Sequence, residues 1–209
     1  MDNIVQKFFA ELIGTFFLAS MVLITLIPSA PFPLATAIAA ALTLGLCVYF
    51  VGGISGCHIN PAITFAMLVV NNISIYKAVI YMIAQFAGAL LALLFISLYV
   101  GDQEQWLIIS SSAMTSGVGE AFGAMFFAFG VVSTVYSNAD KCASGIIVGG
   151  ALLIGIAMSH NASMGVLNPA VALATKAWGW DYLLMPFVGT AIGGLICKAL
   201  YRGFSKQTS

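Results

Sequence analysis

Two asparagines, each followed by proline and alanine, have the type and spacing to do chemistry. Asn60-Pro61-Ala62 lies within "GCHINPAITFA" and Asn168-Pro169-Ala170 within "GVLNPAVALAT", 108 positions apart. Asparagine is a favoured helix N-cap, and proline is tolerated at the first helical position, where its missing N–H costs nothing. Each triplet therefore starts a helix abruptly. Such an end presents free backbone N–H groups and roughly half a positive charge. The chemistry on offer is recognition, since an amide can donate to a passing oxygen while the helix end repels cations. Glu11 and Glu120 stand inside apolar runs, where an ionisable group is a functional candidate by default. A structural tie to nearby loop backbone is read ahead of a proton relay. His58, two residues before Asn60, either faces a pore or pins the loop. Cys47, Cys57, Cys142 and Cys197 occur singly, without a C-x-x-C pair, and read as small apolar residues. No serine–histidine–carboxylate set, metal-ligand cluster or glycine-rich phosphate loop is present in the sequence, so neither enzyme activity nor a bound cofactor is expected.

The elements that must position these residues belong in lipid. Hydrophobic residues make up 61% of the 209-residue chain and charged residues only 7%, where a soluble domain carries about a quarter charged. Mean hydropathy is +1.06. Residues 12–76 contain no Asp, Glu, Lys or Arg. A span takes about 20 apolar residues, so that stretch must fold back on itself. The formal net charge is zero, which supports no nucleic-acid partner and no polybasic lipid-binding surface. The N-terminus lacks the basic region and cleavage site of a signal peptide, so the first span is expected to be retained.

Apolar runs predict six spans near 8–27, 34–52, 75–100, 114–136, 143–160 and 182–202. The first break is "PSAPFP" (28–33), whose three prolines predict a tight turn, and "GDQEQW" (101–106) predicts a polar loop. Lys7, Lys77, Lys141, Lys198, Arg202 and Lys206 fall at ends that an even number of spans places together. The positive-inside rule makes that side cytoplasmic, with both termini inside. Asp102, Glu104, Asp181 and the single cation Lys176 fall on the other side. The expected location is the cell membrane, as a multi-pass protein. Residues 60–72 and 168–180 are too short to cross, and each reads as a half-length helix.

The two halves echo one another. "AELIGTFFLAS" (10–20) aligns with "GEAFGAMFFAF" (119–129), and "AQFAGALLALL" (84–94) with "MPFVGTAIGGL" (185–195). Three spans per half is odd, so the second copy crosses in the opposite sense, as an inverted repeat. The expected architecture is an all-α membrane protein of six transmembrane helices plus two half-helices in an inverted 3+3 repeat. One channel domain covers 1–209, with copies over 1–100 and 114–209. The half-helices enter from opposite sides and meet near the midplane. Irregular backbone at that depth is tolerated only beside protein or a water-filled cavity, so the symmetry implies a pore or a binding site.

Two Asn-Pro-Ala triplets on half-helices of an inverted repeat, the first preceded by "SGCHI", resemble the aquaporin (major intrinsic protein) family over nearly the whole chain. The resemblance implies a passive channel for water or small neutral solutes, built as a homotetramer with one pore per subunit. It also implies that Glu11 and Glu120 hold loop backbone, and that His58 sits at the pore edge in a largely structural job. In the family a second, outer filter combines an aromatic, a histidine and an arginine that directly follows the second triplet. That position is Val171 here, and by family spacing the other filter positions fall on Ala40, Ile156 and Gly165. All four are small or apolar. A wider, less polar constriction is expected, open to glycerol, ammonia, hydrogen peroxide or undissociated small acids, with the midplane barrier retained. His160 lies four residues beyond Ile156, about one helical turn, so a shifted helix end could bring its ring to the constriction. Two rivals stay open: an ion- or proton-coupled secondary transporter, and a non-conducting membrane protein with the same fold.

Overall fold

A computed structural model describes residues 3–27, 35–100 and 114–205. The proline turn at 28–33 and the loop at 101–106 lie outside the described residues. Nine helices follow in order among them: α1 (Ile4–Thr25), α2 (Thr36–Ser55), α3 (Pro61–Val69), α4 (Ile75–Val100), α5 (Met114–Tyr136), α6 (Lys141–Ser159), α7 (Pro169–Ala174), α8 (Trp180–Leu183) and α9 (Met185–Ser205). Six stretches are long and apolar enough to cross a bilayer, the last formed by α8 and α9 together.

Local chemistry sets the ends. The Asn3 side chain caps α1, accepting from Val5 N and Gln6 N. The Asp140 carboxylate accepts from Ala143 N at 2.9 Å and starts α6. Gly56 closes α2 at φ +96°, a left-handed position where a side chain is strained.

Two expectations need correction. The half-helices expected over 60–72 and 168–180 are both shorter, α3 ending at Val69 and α7 at Ala174. There the Thr175 hydroxyl donates to Val171 O and Ala172 O, and Lys176 turns to φ +60°. The final span is interrupted at Leu184. Pro186 lacks an N–H, and its ring would clash with the carbonyl four residues back in a continuous helix.

Helices pair reciprocally. α1 packs on α4 as α5 packs on α9, while α2 and α6 meet between the halves. The half-helices cross over, with α3 against α9 and α7 against α4. Small residues permit this. Gly88 and Gly189 correspond in the repeat; a Cβ on either would strike the facing backbone carbonyl, of Leu12 or of Ala121 respectively. Close approach of this kind replaces the hydrophobic driving force that lipid does not supply between helices. Ala19, Ala66, Ala89, Ala124, Ala128 and Ala174 are all fully buried. Many large apolar side chains instead point outward, as with Leu98 (78% exposed) and Ile146 (77%). That inversion of the soluble pattern is the surface a bilayer solvates.

Two charges that sequence assigns to water-facing ends are buried. Asp181 is fully buried, its carboxylate accepting from the Ser116 hydroxyl. Lys198 is 8% exposed, and its ammonium donates to Val70 O at 2.7 Å. It thereby pairs with the C-cap carbonyl of α3, where the helix dipole is negative.

Candidate functional site

The first triplet builds its helix end from its own side chain. Asn60 Oδ1 accepts from Ala62 N at 2.8 Å and Ile63 N at 3.4 Å. Asn168 Oδ1 does the same for Ala170 N at 3.0 Å and Val171 N at 3.4 Å. Each amide then reaches across to the other half. Asn60 Nδ2 donates to Leu167 O at 2.9 Å, and Asn168 Nδ2 donates to Ile59 O at 3.0 Å. An amide nitrogen has two N–H groups. One on each asparagine therefore has no protein acceptor among the described residues, and both side chains line the same cavity. Pro61 and Pro169 occupy the first helical positions, and Ala62 and Ala170 are fully buried behind the asparagines.

The loops leading into these helices are strained. Ile59 sits at φ +37° and its counterpart Leu167 at φ +54°, left-handed values that are costly for residues with branched or bulky side chains. Two buried carboxylates hold them. Glu11 Oε1 accepts from Ser55 Oγ at 2.5 Å and His58 N at 3.0 Å, and Oε2 from Ile59 N at 2.6 Å and Gln85 Nε2 at 2.8 Å. Glu120 Oε1 accepts from Ser163 Oγ at 2.8 Å and Val166 N at 3.0 Å, and Oε2 from Leu167 N at 2.7 Å. Both carboxylates are fully buried, and every hydrogen bond described at them is one they accept, the pattern of an ionised carboxylate, whose hydrogen bonds are the strong ones. Ser55 and Ser163 escaped the sequence reading. Their signal was present, since each stands five residues before its asparagine.

The cavity has a volume of about 290 Å³. Besides the two asparagines it is lined by Leu26 at the end of α1, Thr36 at the start of α2, and His160 and Met164. All four residues that family spacing selects, Ala40, Ile156, Gly165 and Val171, line it. Gly165, at φ +64°, lies against Ile156, whose side chain would be 3.0 Å from an added Cβ. Val171 is 4% exposed, on the first turn of α7. His160 caps the end of α6 and lines the same space, so it joins Ile156 at the cavity without any shift of the helix end. His58 also lines it; its Nδ1 lies 3.2 Å from Thr64 Oγ1, and Tyr81 packs edge-on against its ring at 5.2 Å. Phe127, Leu18 and Leu152 complete an apolar wall that nothing in their local sequence had distinguished from core. Cys47, Cys57 and Cys197 are buried and Cys142 is exposed, all as free thiols.

The sequence matches a known family. The profile described as "Major intrinsic protein" covers residues 3–201.

The chain belongs to the major intrinsic protein family.

Among similar members, "Probable aquaporin TIP1-2" of Oryza sativa subsp. japonica is 38% identical over 191 residues, covering 81% of this chain and 72% of that one. "Glycerol uptake facilitator protein-like 6" of Lactiplantibacillus plantarum is 30% identical over 213 residues, covering 93% and 98%. The aquaglyceroporin from Plasmodium falciparum superposes with a TM-score of 0.70 over 95% of this chain and 96% of that one, at 21% identity, which speaks for the fold. As a family member this chain is a multi-pass membrane protein, all-helical in its described residues, with two half-helices between its spans.

Proposed function

We infer that the protein is a passive transmembrane channel for water and small neutral solutes. The observation that carries this is the pair of reciprocal asparagine bonds, which leave two helix N-termini and two free amide N–H groups beside one cavity. Each helix end carries roughly half a positive charge, so a cation about 4 Å from both pays about 4 kcal/mol at an effective dielectric of ~20. A neutral molecule pays nothing comparable and finds donors for its oxygen. A water accepting from both Asn60 and Asn168 has no lone pair left for a hopping proton. Membership of a family that includes an aquaporin and a glycerol uptake facilitator supports the same reading.

The constriction proposed here is Ala40, Ile156, Gly165 and Val171, with His160 and His58 as polar members at the cavity. No side chain of the four donates a hydrogen bond. Solutes of glycerol size, ammonia, hydrogen peroxide and undissociated small acids therefore pass alongside water. Cation exclusion then rests on the asparagine pair, because no arginine stands at Val171. Glu11 and Glu120 act as anchors for the loops: seven hydrogen bonds converge on them. Residues 1–100 and 114–209 serve as the two inverted copies, with both termini on the cytoplasmic side of the cell membrane. The proposed assembly is a homotetramer with one pore per subunit, a reading that the family resemblance supports.

Stopped-flow light scattering on proteoliposomes tests the reading, with water and glycerol gradients compared. Water and glycerol should both equilibrate faster than in protein-free vesicles. Rates equal to those of empty vesicles for every solute would refute it.

A further inference from the structure

His58 belongs to a hydrogen-bond relay that only one half of the molecule possesses. Gln85 Nε2 donates to Glu11 Oε2 at 2.8 Å and to Thr64 Oγ1 at 2.8 Å. Turned over, the same amide would set its oxygen against a carboxylate, so its orientation is determined even though Gln85 Oε1 is buried without a partner among the described residues. With both N–H groups spent, Gln85 makes Thr64 Oγ1 an acceptor. Among the described residues the Thr64 O–H has no acceptor other than His58 Nδ1, 3.2 Å away, so it donates there rather than taking a second hydrogen bond on Oγ1. A ring nitrogen that accepts carries no proton, and in a neutral imidazole the proton is then on Nε2. That nitrogen has no protein partner among the described residues and is not among the buried unpartnered atoms, and His58 is one of the residues that line the cavity.

The second half shows that loop anchoring does not need this relay. Ser163 and Glu120 repeat the roles of Ser55 and Glu11. The positions matching His58, Thr64 and Gln85 are Val166, Ala172 and Pro186, yet Leu167 is held as Ile59 is. The relay therefore acts on the imidazole.

We propose that Gln85 and Thr64 are positioning residues that lock His58 as the neutral Nε2–H tautomer, making it a fixed hydrogen-bond donor to solute in the cavity. The cavity then offers three side-chain donors, from His58, Asn60 and Asn168, against a largely apolar lining elsewhere. It suits solutes that present oxygen lone pairs there. This transport consequence rests on the channel reading above, whereas the tautomer does not.

The chain has only two histidines, His58 and His160, so solid-state 15N NMR of histidine-labelled protein in lipid bilayers can resolve them. His160→Gln leaves His58 alone and assigns it. The expected spectrum has a bare Nδ1 and a protonated Nε2. Thr64→Val should release the ring into a tautomer mixture and lower water flux per channel roughly twofold to tenfold, the worth of one neutral hydrogen bond. Thr64→Ser should restore both. A proton on Nδ1 of His58 in otherwise unaltered protein overturns the proposal even if the valine variant fails to fold, and so does an unchanged spectrum in Thr64→Val. Absence of flux for every solute in the unaltered protein would refute the channel reading and leave the tautomer to the spectrum.

Discussion

Replacing Glu120 by glutamine separates anchoring from proton relay. The carboxylate accepts from Ser163 Oγ, Val166 N and Leu167 N at 2.8, 3.0 and 2.7 Å. Glutamine keeps the shape but turns one oxygen into a donor. If the NH2 faces Leu167 N, one bond is lost and two donors collide. If it faces the other side, Val166 N loses its acceptor. A hydrogen bond to a charged group contributes about 1.5–3 kcal/mol, and an orphaned buried donor adds a penalty of about 1–3 kcal/mol. The expected loss is thus about 3–5 kcal/mol, concentrated on the loop that carries Leu167 at φ +54°. That loop supplies the carbonyl to which Asn60 Nδ2 donates, so the damage passes to the opposite half-helix. Thermal unfolding in detergent should show a midpoint lowered on the order of 10 °C, and stopped-flow water permeability should fall with it. A relay role predicts the opposite pattern: intact stability and water flow, with only proton-coupled transport lost. A Glu120→Gln protein with unchanged midpoint and unchanged water permeability would refute the anchoring argument.

Three further outcomes follow from the same geometry. Val171→Arg places a long cation in the constriction beside Ile156 and Gly165; glycerol flux should fall by more than tenfold while water flux persists, measured by paired solute and osmotic gradients. Lys198→Met removes the ammonium at Val70 O and leaves the C-terminal carbonyl of α3 unpaired, lowering thermal stability by about 1–3 kcal/mol; Lys198→Arg should recover most of it. Gly189→Val drives a side chain into the Ala121 carbonyl, and should separate α5 from α9 enough to abolish folded protein by size-exclusion chromatography, whereas Val188→Ala on the exposed neighbouring face (48% exposed) should be tolerated.

Composition and local pattern determined a great deal by themselves. A 65-residue stretch (12–76) without charge can only be membrane spans, because lipid excludes unpaired backbone and forces helices. Asn60-Pro61 and Asn168-Pro169 start helices through their own side chains, so those ends could be read locally. The duplication exposed the pairing of Glu11 with Glu120. Family spacing also selected Ala40, Ile156, Gly165 and Val171, which line one cavity. What only the tertiary structure decided depends on partners distant in sequence. Asn60 finds Leu167 and Lys198 finds Val70 across 107 and 128 positions, and no periodicity encodes such a partner. Asp181 and Lys198 look like interfacial charges in sequence, since burial of a charge is decided by which helix packs beside it. The length of α7 turned on Thr175 and Lys176 ending a helix that apolar pattern alone would have continued. The tautomer of His58 lies furthest from the sequence, because it requires a count of donors on Gln85 and Thr64 that only their meeting on Glu11 and the imidazole makes possible.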